Sequence, residues 1–421
     1  MPVRVGQYQL KERICRAALL RAALGVFFLG FPGAIWGQDC LFVLSRLEGG
    51  VVAVRRADAQ GIRSVTLPDC PLPQCQPTSL VIDAAQQRAY VTRLDSDSVA
   101  VLDLDAAVPI TSVPVGDGPA AAVLTHDGRR LYVANLSSGD VSVVDTSSLR
   151  VVDTITVGSG PRGLALLPDD TRLFVANSND DTLSIIKTAD GTVADTVAVG
   201  DAPSGVAVSP DGTRVYVANQ RAGTVSALDL AQGPPAAAIT VGNGPRAIAF
   251  SVDGAQALVT NTLSGTVSPI DVASATAGTP IAVGGSAASG PVAIAVAPEG
   301  LVAYVANLSD NSLSTITLSN GAATTSAAPG APFDLAFGNC PVPMATPTVT
   351  PTVTPTGGRS CPGDCGGDGV VTVSDMIQGV NIALGNSALS SCAAFDLDHS
   401  NDVGVNELIA AVNALLNGCP S

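Results

Sequence analysis

The chain has 421 residues, of which 46% are hydrophobic, only 4% aromatic and 14% charged, and its formal net charge is −15. A chain of this length has room for two or three domains and can bury a large core. The acidic balance argues against nucleic acid as a partner, because phosphate contacts need a basic patch.

The first segment has the features of an export signal. Five basic residues, Arg4, Lys11, Arg13, Arg16 and Arg21, precede the apolar sequence AALGVFFLGFPGAIWG. This order predicts a signal peptide over residues 1–37, with cleavage near Gly37. A retained membrane anchor is the alternative, but the uninterrupted apolar stretch is short for a bilayer span. The sequence therefore predicts a secreted or cell-surface protein with no membrane span in the mature chain.

The cysteines agree with export. Eight follow the leader: Cys40, Cys70, Cys75, Cys340, Cys361, Cys365, Cys392 and Cys419. An even number in an exported protein predicts disulfides. Zinc at Cys361 and Cys365 is the alternative, but their CxxxC spacing is followed by no second close pair and no nearby His.

A repeat dominates the middle of the chain. The turn sequence VGDGP at 115 returns as VGSGP at 157, VGDAP at 199 and VGNGP at 241, in steps of 42 residues. A short apolar strand follows each proline, a second strand such as LYVAN comes next, and each of these two strands has seven copies. With a third strand such as VSVVD and an outer strand, the unit is typical of a propeller blade. We predict an all-β seven-bladed β-propeller over residues 38–340.

The ends of the repeat region predict how the ring closes. The chain enters at a second strand, at Leu41, and the repeats end with a lone first strand at 332–337. Pairing these two strands closes the ring, and a disulfide between Cys40 and Cys340 would replace the missing hairpin turn. Over residues 40–340 the repeat resembles the YVTN family of β-propeller repeat proteins, which are often exported or surface-layer proteins. The resemblance implies the fold and leaves the activity open, because propellers host both binding and catalysis.

The residue inventory limits the chemistry of the propeller. The chain has two histidines, His126 and His399, and His126 lies in a predicted hairpin turn, where we expect it to be solvated. A metal centre with several His ligands is therefore excluded, and no nucleophile-elbow motif accompanies a Ser–His–Asp arrangement. We expect Tyr90, Tyr132, Tyr216 and Tyr304 in the core, since they share one position of the repeat. We expect Asn135, Asn177, Asn219, Asn261 and Asn307 to hold turns through hydrogen bonds to the backbone.

Arginines distinguish one end of the predicted blades. The VGxGP turns and the turns after YVAN should lie at the same end, where Arg93, Arg162, Arg221 and Arg246 occur. Several arginines near one channel mouth would meet an acidic ligand. Ordinary solvated turn residues are the alternative interpretation.

The C-terminal segment carries a metal-binding pattern. A Thr/Pro-rich linker over 341–360 leads to DLDHSNDVGVNEL, which fits the EF-hand loop, with DCGGDGVVTVSD as a weaker copy. The ligands of the first pattern are Asp396, Asp398, Ser400, the Asp402 carbonyl and Glu407; those of the copy are Asp364, Asp368, the Val370 carbonyl and Asp375. Oxygen ligands at this spacing favour Ca²⁺. Acidic turns that bind nothing are the alternative for each loop.

The two loops with their apolar helical patterns resemble a dockerin module over residues 361–421. The resemblance implies a small α-helical domain of EF-hand type, folded by calcium, that docks a cohesin-like or other protein partner. The partner-selecting positions hold Val373-Ser374 and Val405-Asn406 instead of the usual Ser/Thr pair. Four cysteines are added, and Cys361–Cys419 with Cys365–Cys392 is one of three possible pairings.

Two functions remain open. One is an exported, non-enzymatic binding or scaffold propeller with a calcium-binding docking module and an unknown ligand at the mouth. The other is a propeller enzyme, such as a lactone hydrolase that uses a metal and carboxylates. A mouth ringed by Asp, Glu and Asn would favour the enzyme, whereas a mouth lined by Ala, Gly and Val would favour binding.

Overall fold

The computed structural model describes residues 39–339, except 48, 55–60, 69–75, 234–236 and 329. The chain divides into two compact units, Met1–Pro343 and Met344–Ser421, and the described residues all belong to the first. Several predictions lie outside the described residues: the signal peptide, the linker, the calcium module with all its ligands, and every cysteine except Cys40. In the part of the chain that is described, no helix is long and apolar enough to cross a bilayer.

The described residues form seven antiparallel sheets, the blades of a propeller. In chain order the strands are β1 (Asp39–Ser45), β2 (Gly50–Val54) and β3 (Gly61–Thr66) in blade 1; β4 (Pro77–Asp83), β5 (Arg88–Arg93), β6 (Ser98–Asp103) and β7 (Val108–Pro114) in blade 2; and β8 (Pro119–Leu124), β9 (Arg130–Asn135), β10 (Asp140–Asp145) and β11 (Arg150–Thr156) in blade 3. Blade 4 comprises β12 (Pro161–Leu166), β13 (Arg172–Asn177), β14 (Thr182–Lys187) and β15 (Thr192–Ala198); blade 5 comprises β16 (Pro203–Val208), β17 (Arg214–Asn219), β18 (Thr224–Asp229) and β19 (Ala237–Thr240). Blade 6 comprises β20 (Pro245–Phe250), β21 (Gln256–Asn261), β22 (Thr266–Asp271), β23 (Thr276–Ala277) and β24 (Ile281–Ala282); blade 7 comprises β25 (Pro291–Val296), β26 (Val302–Asn307), β27 (Ser312–Thr317) and β28 (Ala323–Ala327), and β29 (Pro332–Asn339) follows.

The last strand closes the ring. Strand β29 pairs antiparallel with β1, with Leu41 opposite Phe337 and Val43 opposite Leu335, and so becomes the innermost strand of blade 1. The predicted seven-bladed propeller, closed by pairing the first and last strands of the repeat region, is therefore confirmed. Cys40 is disulfide-bonded. Its predicted partner, Cys340, lies outside the described residues, so the Cys40–Cys340 pairing stays a prediction.

The core consists of apolar layers between neighbouring blades. Tyr90, Tyr132 and Tyr216 are fully buried, and Tyr304 is 6% exposed, as their shared repeat position predicts. The ring centroids of Tyr216 and Phe250 lie 5.0 Å apart. The outer strands, by contrast, are mostly exposed, as in β11, where only Ile155 is buried. The β-branched and aromatic residues of the second and third strands therefore supply most of the buried surface.

The repeated asparagines act differently from the expectation. Asn177 is fully buried, and its Nδ2 donates to the hydroxyls of Thr182 at 3.0 Å and Ser184 at 2.9 Å. The other four, Asn135, Asn219, Asn261 and Asn307, make the corresponding bonds. These partners are side chains of the adjacent third strand, because the nearby backbone groups are already used by the strand ladder. The asparagines therefore brace the second strand against the third.

Candidate functional site

The VGxGP turns and the turns that follow the second strands lie at the same end of the propeller. The backbone N–H of Leu136, after β9, donates to the carbonyl of Gly118 in the turn before β8, at 2.8 Å. Ser178 and Gly160 make the same bond in blade 4, also at 2.8 Å. Each VGxGP turn therefore lies at the same end of the propeller as the turn after the second strand. The central channel opens here, and we call this opening the mouth.

A backbone irregularity in the innermost strand of each blade leaves one residue without a partner in the strand ladder. The ladder between β12 and β13 pairs Pro161 with Asn177 and then Gly163 with Ala176, so that Arg162 has no partner opposite. Every innermost strand has this irregularity directly after its proline. Proline has no N–H to continue the ladder, and a bulge re-aims the side chain beside it. In blade order the residues that follow the prolines are Phe333, Thr78, Ala120, Arg162, Ser204, Arg246 and Val292.

All seven of these residues line a cavity of about 450 Å³. Its wall also includes small residues, among them Ala121, Ala122, Gly163 and Gly205. Both glycines are required by packing: a Cβ on Gly163 would lie 2.0 Å from the carbonyl oxygen of Ser204 in the next blade. The neighbouring inner strands therefore approach closely here and fix the spacing of the side chains around the mouth.

Three guanidinium groups converge in this cavity. The Cζ of Arg46 lies 3.4 Å from the ring centroid of Phe333, and the Cζ of Arg246 lies 4.6 Å from the same centroid. Arg162 completes the group, and its Nη1 lies 3.4 Å from Oε1 of Gln220. Burial, together with repulsion from Arg162 and Arg46, lowers the pKa of Arg246 to about 10. The mouth is therefore a concentrated positive charge on an acidic chain, suited to an anion.

Among the residues that the structure describes, Asp334 is the only carboxylate that lines the cavity. Its Oδ2 accepts the backbone N–H of Leu80 at 2.7 Å, and its Oδ1 accepts that of Leu335 at 2.9 Å. Burial raises the pKa of Asp334 to about 6, although these bonds, a further one from Ser79 and the charge of Arg246 act in the opposite direction. This carboxyl group can therefore take up and release a proton near neutral pH.

Two of the four predicted arginines do not reach the mouth. Arg93 takes the place of the repeated asparagine and is 4% exposed, and its Nη2 donates to the hydroxyls of Ser98 at 2.7 Å and Ser112 at 3.0 Å. Arg221 lies on the surface, where its Nη1 pairs with Asp201 at 2.8 Å. Arg162 and Arg246 are therefore brought together, whereas Arg93 is structural and Arg221 is solvated.

Sequence reasoning missed Arg46, Phe333 and Asp334. The signal was present for two of them, because Phe333 and Asp334 follow Pro332 as Arg162 and Gly163 follow Pro161. Arg46 follows β1, at the position that Leu136 occupies after β9. The closing blade is assembled from both ends of the repeat region, so these residues are far apart in sequence.

Other parts of the described surface offer less chemistry. His126 is exposed in a hairpin turn, and its Nδ1 lies 2.7 Å from Oδ1 of Asp170. A depression of about 660 Å³ beside β24 and β27 has no charged side chain among its lining residues. Among the described residues, no three His, Cys, Asp or Glu side chains are grouped closely enough to hold a metal ion.

Comparison with known proteins agrees with this architecture. The family model "Lactonase, 7-bladed beta-propeller" matches residues 109–195, which run from β7 into β15. A search of the curated proteins finds no significant match.

Among solved structures, the chain is similar to the periplasmic gluconolactonase of Pseudomonas aeruginosa, with a TM-score of 0.58 and 20% identity over 72% of this chain and 99% of that one. It is also similar to the hydrazine synthase of Kuenenia stuttgartiensis, with a TM-score of 0.54 and 21% identity over 60% and 78%. It is similar as well to virginiamycin B lyase of Staphylococcus aureus, with a TM-score of 0.55 and 12% identity over 65% of this chain and 95% of that one. The names of these three proteins denote different reactions, so the likeness establishes the fold alone.

The fold and the site together define a class of protein: a closed seven-bladed β-propeller with a cationic axial mouth that holds a single carboxylate.

Proposed function

We propose that the protein is a lactone hydrolase that acts on a small molecule at the mouth. The observation that carries the proposal is Asp334, a carboxyl group of raised pKa that lines the same cavity as three arginines. The match of residues 109–195 to the lactonase family model supports the same reaction class. The sequence left open a mouth ringed by Asp, Glu and Asn or one lined by Ala, Gly and Val. The observed mouth is intermediate between them, with an Ala/Gly wall and one carboxylate.

The proposed reaction assigns a role to each charged group. Asp334 takes a proton from a water molecule as the water oxygen attacks the lactone carbonyl carbon. Arg246 stabilises the negative charge that develops on the carbonyl oxygen. The bond between the carbonyl carbon and the ring oxygen then breaks, and Asp334 returns its proton to the departing alkoxide. The product is a hydroxy acid, whose carboxylate would pair with Arg162.

Acid release from lactones tests this function. The full chain would be assayed at constant pH with glucono-δ-lactone and δ-decalactone, beside the variants Asp334→Asn and Asp170→Asn. Loss of a general base should lower kcat by about 10²-fold or more, whereas Asp170, which pairs with His126 in a hairpin turn, should be dispensable. Thermal melting would identify a loss caused by unfolding. If Asp334→Asn unfolds the protein, Arg162→Gln, which leaves Asp334 in place, should still raise the KM for the lactone.

Non-enzymatic binding of an anion is the second candidate. It is favoured by the rest of the cavity lining, in which no second carboxylate and no histidine is found among the described residues. The two candidates differ in one result: a carboxylate that binds the wild-type protein, with no lactone hydrolysed above the spontaneous rate, would refute the enzyme and support the binding protein.

We further propose that the chain is exported and that residues 361–421 form a calcium-binding docking module. The leader-like segment at 1–37 and the even number of later cysteines support export. The two EF-hand-type loops support calcium, since their carboxylates repel each other without a cation.

A further inference from the structure

The mouth has two chemically different halves. Blades 4, 5 and 6 contribute Arg162, Ser204 and Arg246 after their prolines, whereas blades 7, 1 and 3 contribute Val292, Phe333 and Ala120. Both arginines of this ring therefore lie on one arc. Among these seven residues the opposite arc is apolar except for Thr78 of blade 2, and Arg46 and Asp334 of blade 1 also line the cavity on that side.

A second ring of residues shows the same division between polar and apolar blades. It consists of the residue that follows the second strand of each blade. Blades 4, 5 and 6 place Ser178, Gln220 and Thr262 there. Blades 7, 2 and 3 place Leu308, Leu94 and Leu136, and all three leucines line the cavity and are only half-buried. The polar and apolar arcs of the two rings thus coincide.

Arg46, the cation on the same side as the apolar arc, already has partners within the propeller. Arg46 of blade 1 lies over the ring of Phe333, and its Nε donates to the carbonyl of Pro77 at 3.1 Å. The Cζ of Arg246, from the other arc, lies 4.6 Å from the same ring centroid, and Arg162 lies near Gln220, so both arginines line the cavity together with the three leucines.

A ligand that is polar all round fits this arrangement poorly. Hydroxyl groups placed against the three leucines would lose water and gain no hydrogen bonds, which costs free energy. A chain of CH2 groups in the same place gains from leaving water, about four-fold in affinity for each CH2. An anionic group on the opposite arc pairs with the guanidiniums. The cavity of about 450 Å³ falls within the usual size range of small-molecule sites.

We propose that the mouth binds an amphiphilic anion, with its charged group at Arg162 and Arg246 and its alkyl or aryl part against Leu94, Leu136 and Leu308. This inference rests on the proposed function only where it makes that ligand the substrate or product of the hydrolase. The corresponding lactone bears an apolar substituent and is not a sugar lactone.

Direct binding of a carboxylate series tests the inference without turnover. Butyrate, hexanoate, octanoate and gluconate would be titrated into the full chain by calorimetry. We expect about a 15-fold gain in affinity from butyrate to hexanoate, a further gain for octanoate, and weak binding of gluconate. Arg162→Gln should weaken all the alkyl carboxylates by the same factor, because they share the charged group.

Leu136→Asn should remove most of the dependence on chain length and leave butyrate unaffected. Leu301→Asn is the matched control, since Leu301 is 67% exposed and follows a hairpin turn at the other end of blade 7. Gluconate bound as tightly as hexanoate, or a chain-length dependence unchanged in Leu136→Asn, would refute the inference.

The two proposals fail separately. The expected binding series without lactone hydrolysis would refute the hydrolase and leave the amphiphilic ligand standing. Hydrolysis of glucono-δ-lactone in preference to δ-decalactone, without the expected binding series, would refute the amphiphilic ligand and support the hydrolase.

Discussion

Gly163→Ala should destabilise the propeller and disturb the mouth. The added Cβ would lie 2.0 Å from the carbonyl oxygen of Ser204 and 3.0 Å from its carbonyl carbon. Neither atom belongs to a side chain that can rotate away; both belong to the inner strand of the next blade. The corresponding positions of blades 3 and 6 hold Ala121 and Ala247, so the requirement for glycine is confined to blades 4 and 5, where Gly163 and Gly205 each approach the backbone of the next blade.

The magnitude follows from this distance. Ordinary van der Waals contact begins near 3.4 Å, so blades 4 and 5 must separate by more than 1 Å or the backbone must distort. Overpacking of this kind costs roughly 1–3 kcal/mol, and the absence of a movable side chain places the cost near the upper end, about 3 kcal/mol. At about 2.1 cal/mol/K per residue over roughly 300 residues, this corresponds to a fall in Tm of about 5 °C.

Differential scanning calorimetry of the wild type and two variants measures this effect. Gly285→Ala is the control, because its Cβ would meet only Asp310, at an ordinary distance of 3.6 Å. The affinity for octanoate should also fall in Gly163→Ala, since Arg162 is the adjacent residue. A Tm change in Gly163→Ala no larger than in the control would show that the inner strands of blades 4 and 5 are not closely packed at Gly163.

Three other predictions concern the mouth, a buried cation and the C-terminal segment. Lactone turnover should fall as the pH drops below about 6, because Asp334, whose pKa burial raises to about 6, becomes protonated; a profile flat between pH 5 and 7 would exclude it as the base. The same shift makes the protonated form the more stabilising one, so the contribution of Asp334 to stability is lost as the pH rises through about 6. Arg93→Met should lower the free energy of unfolding in urea by about 2–4 kcal/mol, since it removes the buried guanidinium that donates to the hydroxyls of Ser98 and Ser112. Arg221→Ala should cost at most about 1 kcal/mol, because its ion pair with Asp201 is exposed; equal effects would contradict the assigned burial. Asp396→Ala should weaken calcium binding by the full chain in titration calorimetry and leave the Tm of the propeller unchanged, and a shift of that Tm would contradict the independence of the C-terminal segment.

The propeller was predictable from the sequence because its determinants are local and repeated. Each VGxGP turn, each alternating strand and each hairpin turn specifies its own blade, and the 42-residue step repeats the specification. The offset between Leu41 and the lone strand at 332–337 was sufficient to predict the closure of the ring. The core position of the tyrosines followed from the same register, since equivalent positions of a repeat occupy equivalent environments.

The candidate site, by contrast, was not predictable in full, because only the closed ring brings its residues together. Arg93 and Arg162 were both predicted at the mouth, but Arg93 is paired within its blade and buried, whereas Arg162 lies at a bulge and lines the cavity. Arg46 and Asp334 are 288 positions apart and line one cavity only because β29 joins β1 in blade 1. The raised pKa of Asp334 has the same origin, since it depends on burial by strands from opposite ends of the repeat region. A repeated sequence determines the blade, whereas the differences between blades become a site only when the ring places them around one axis.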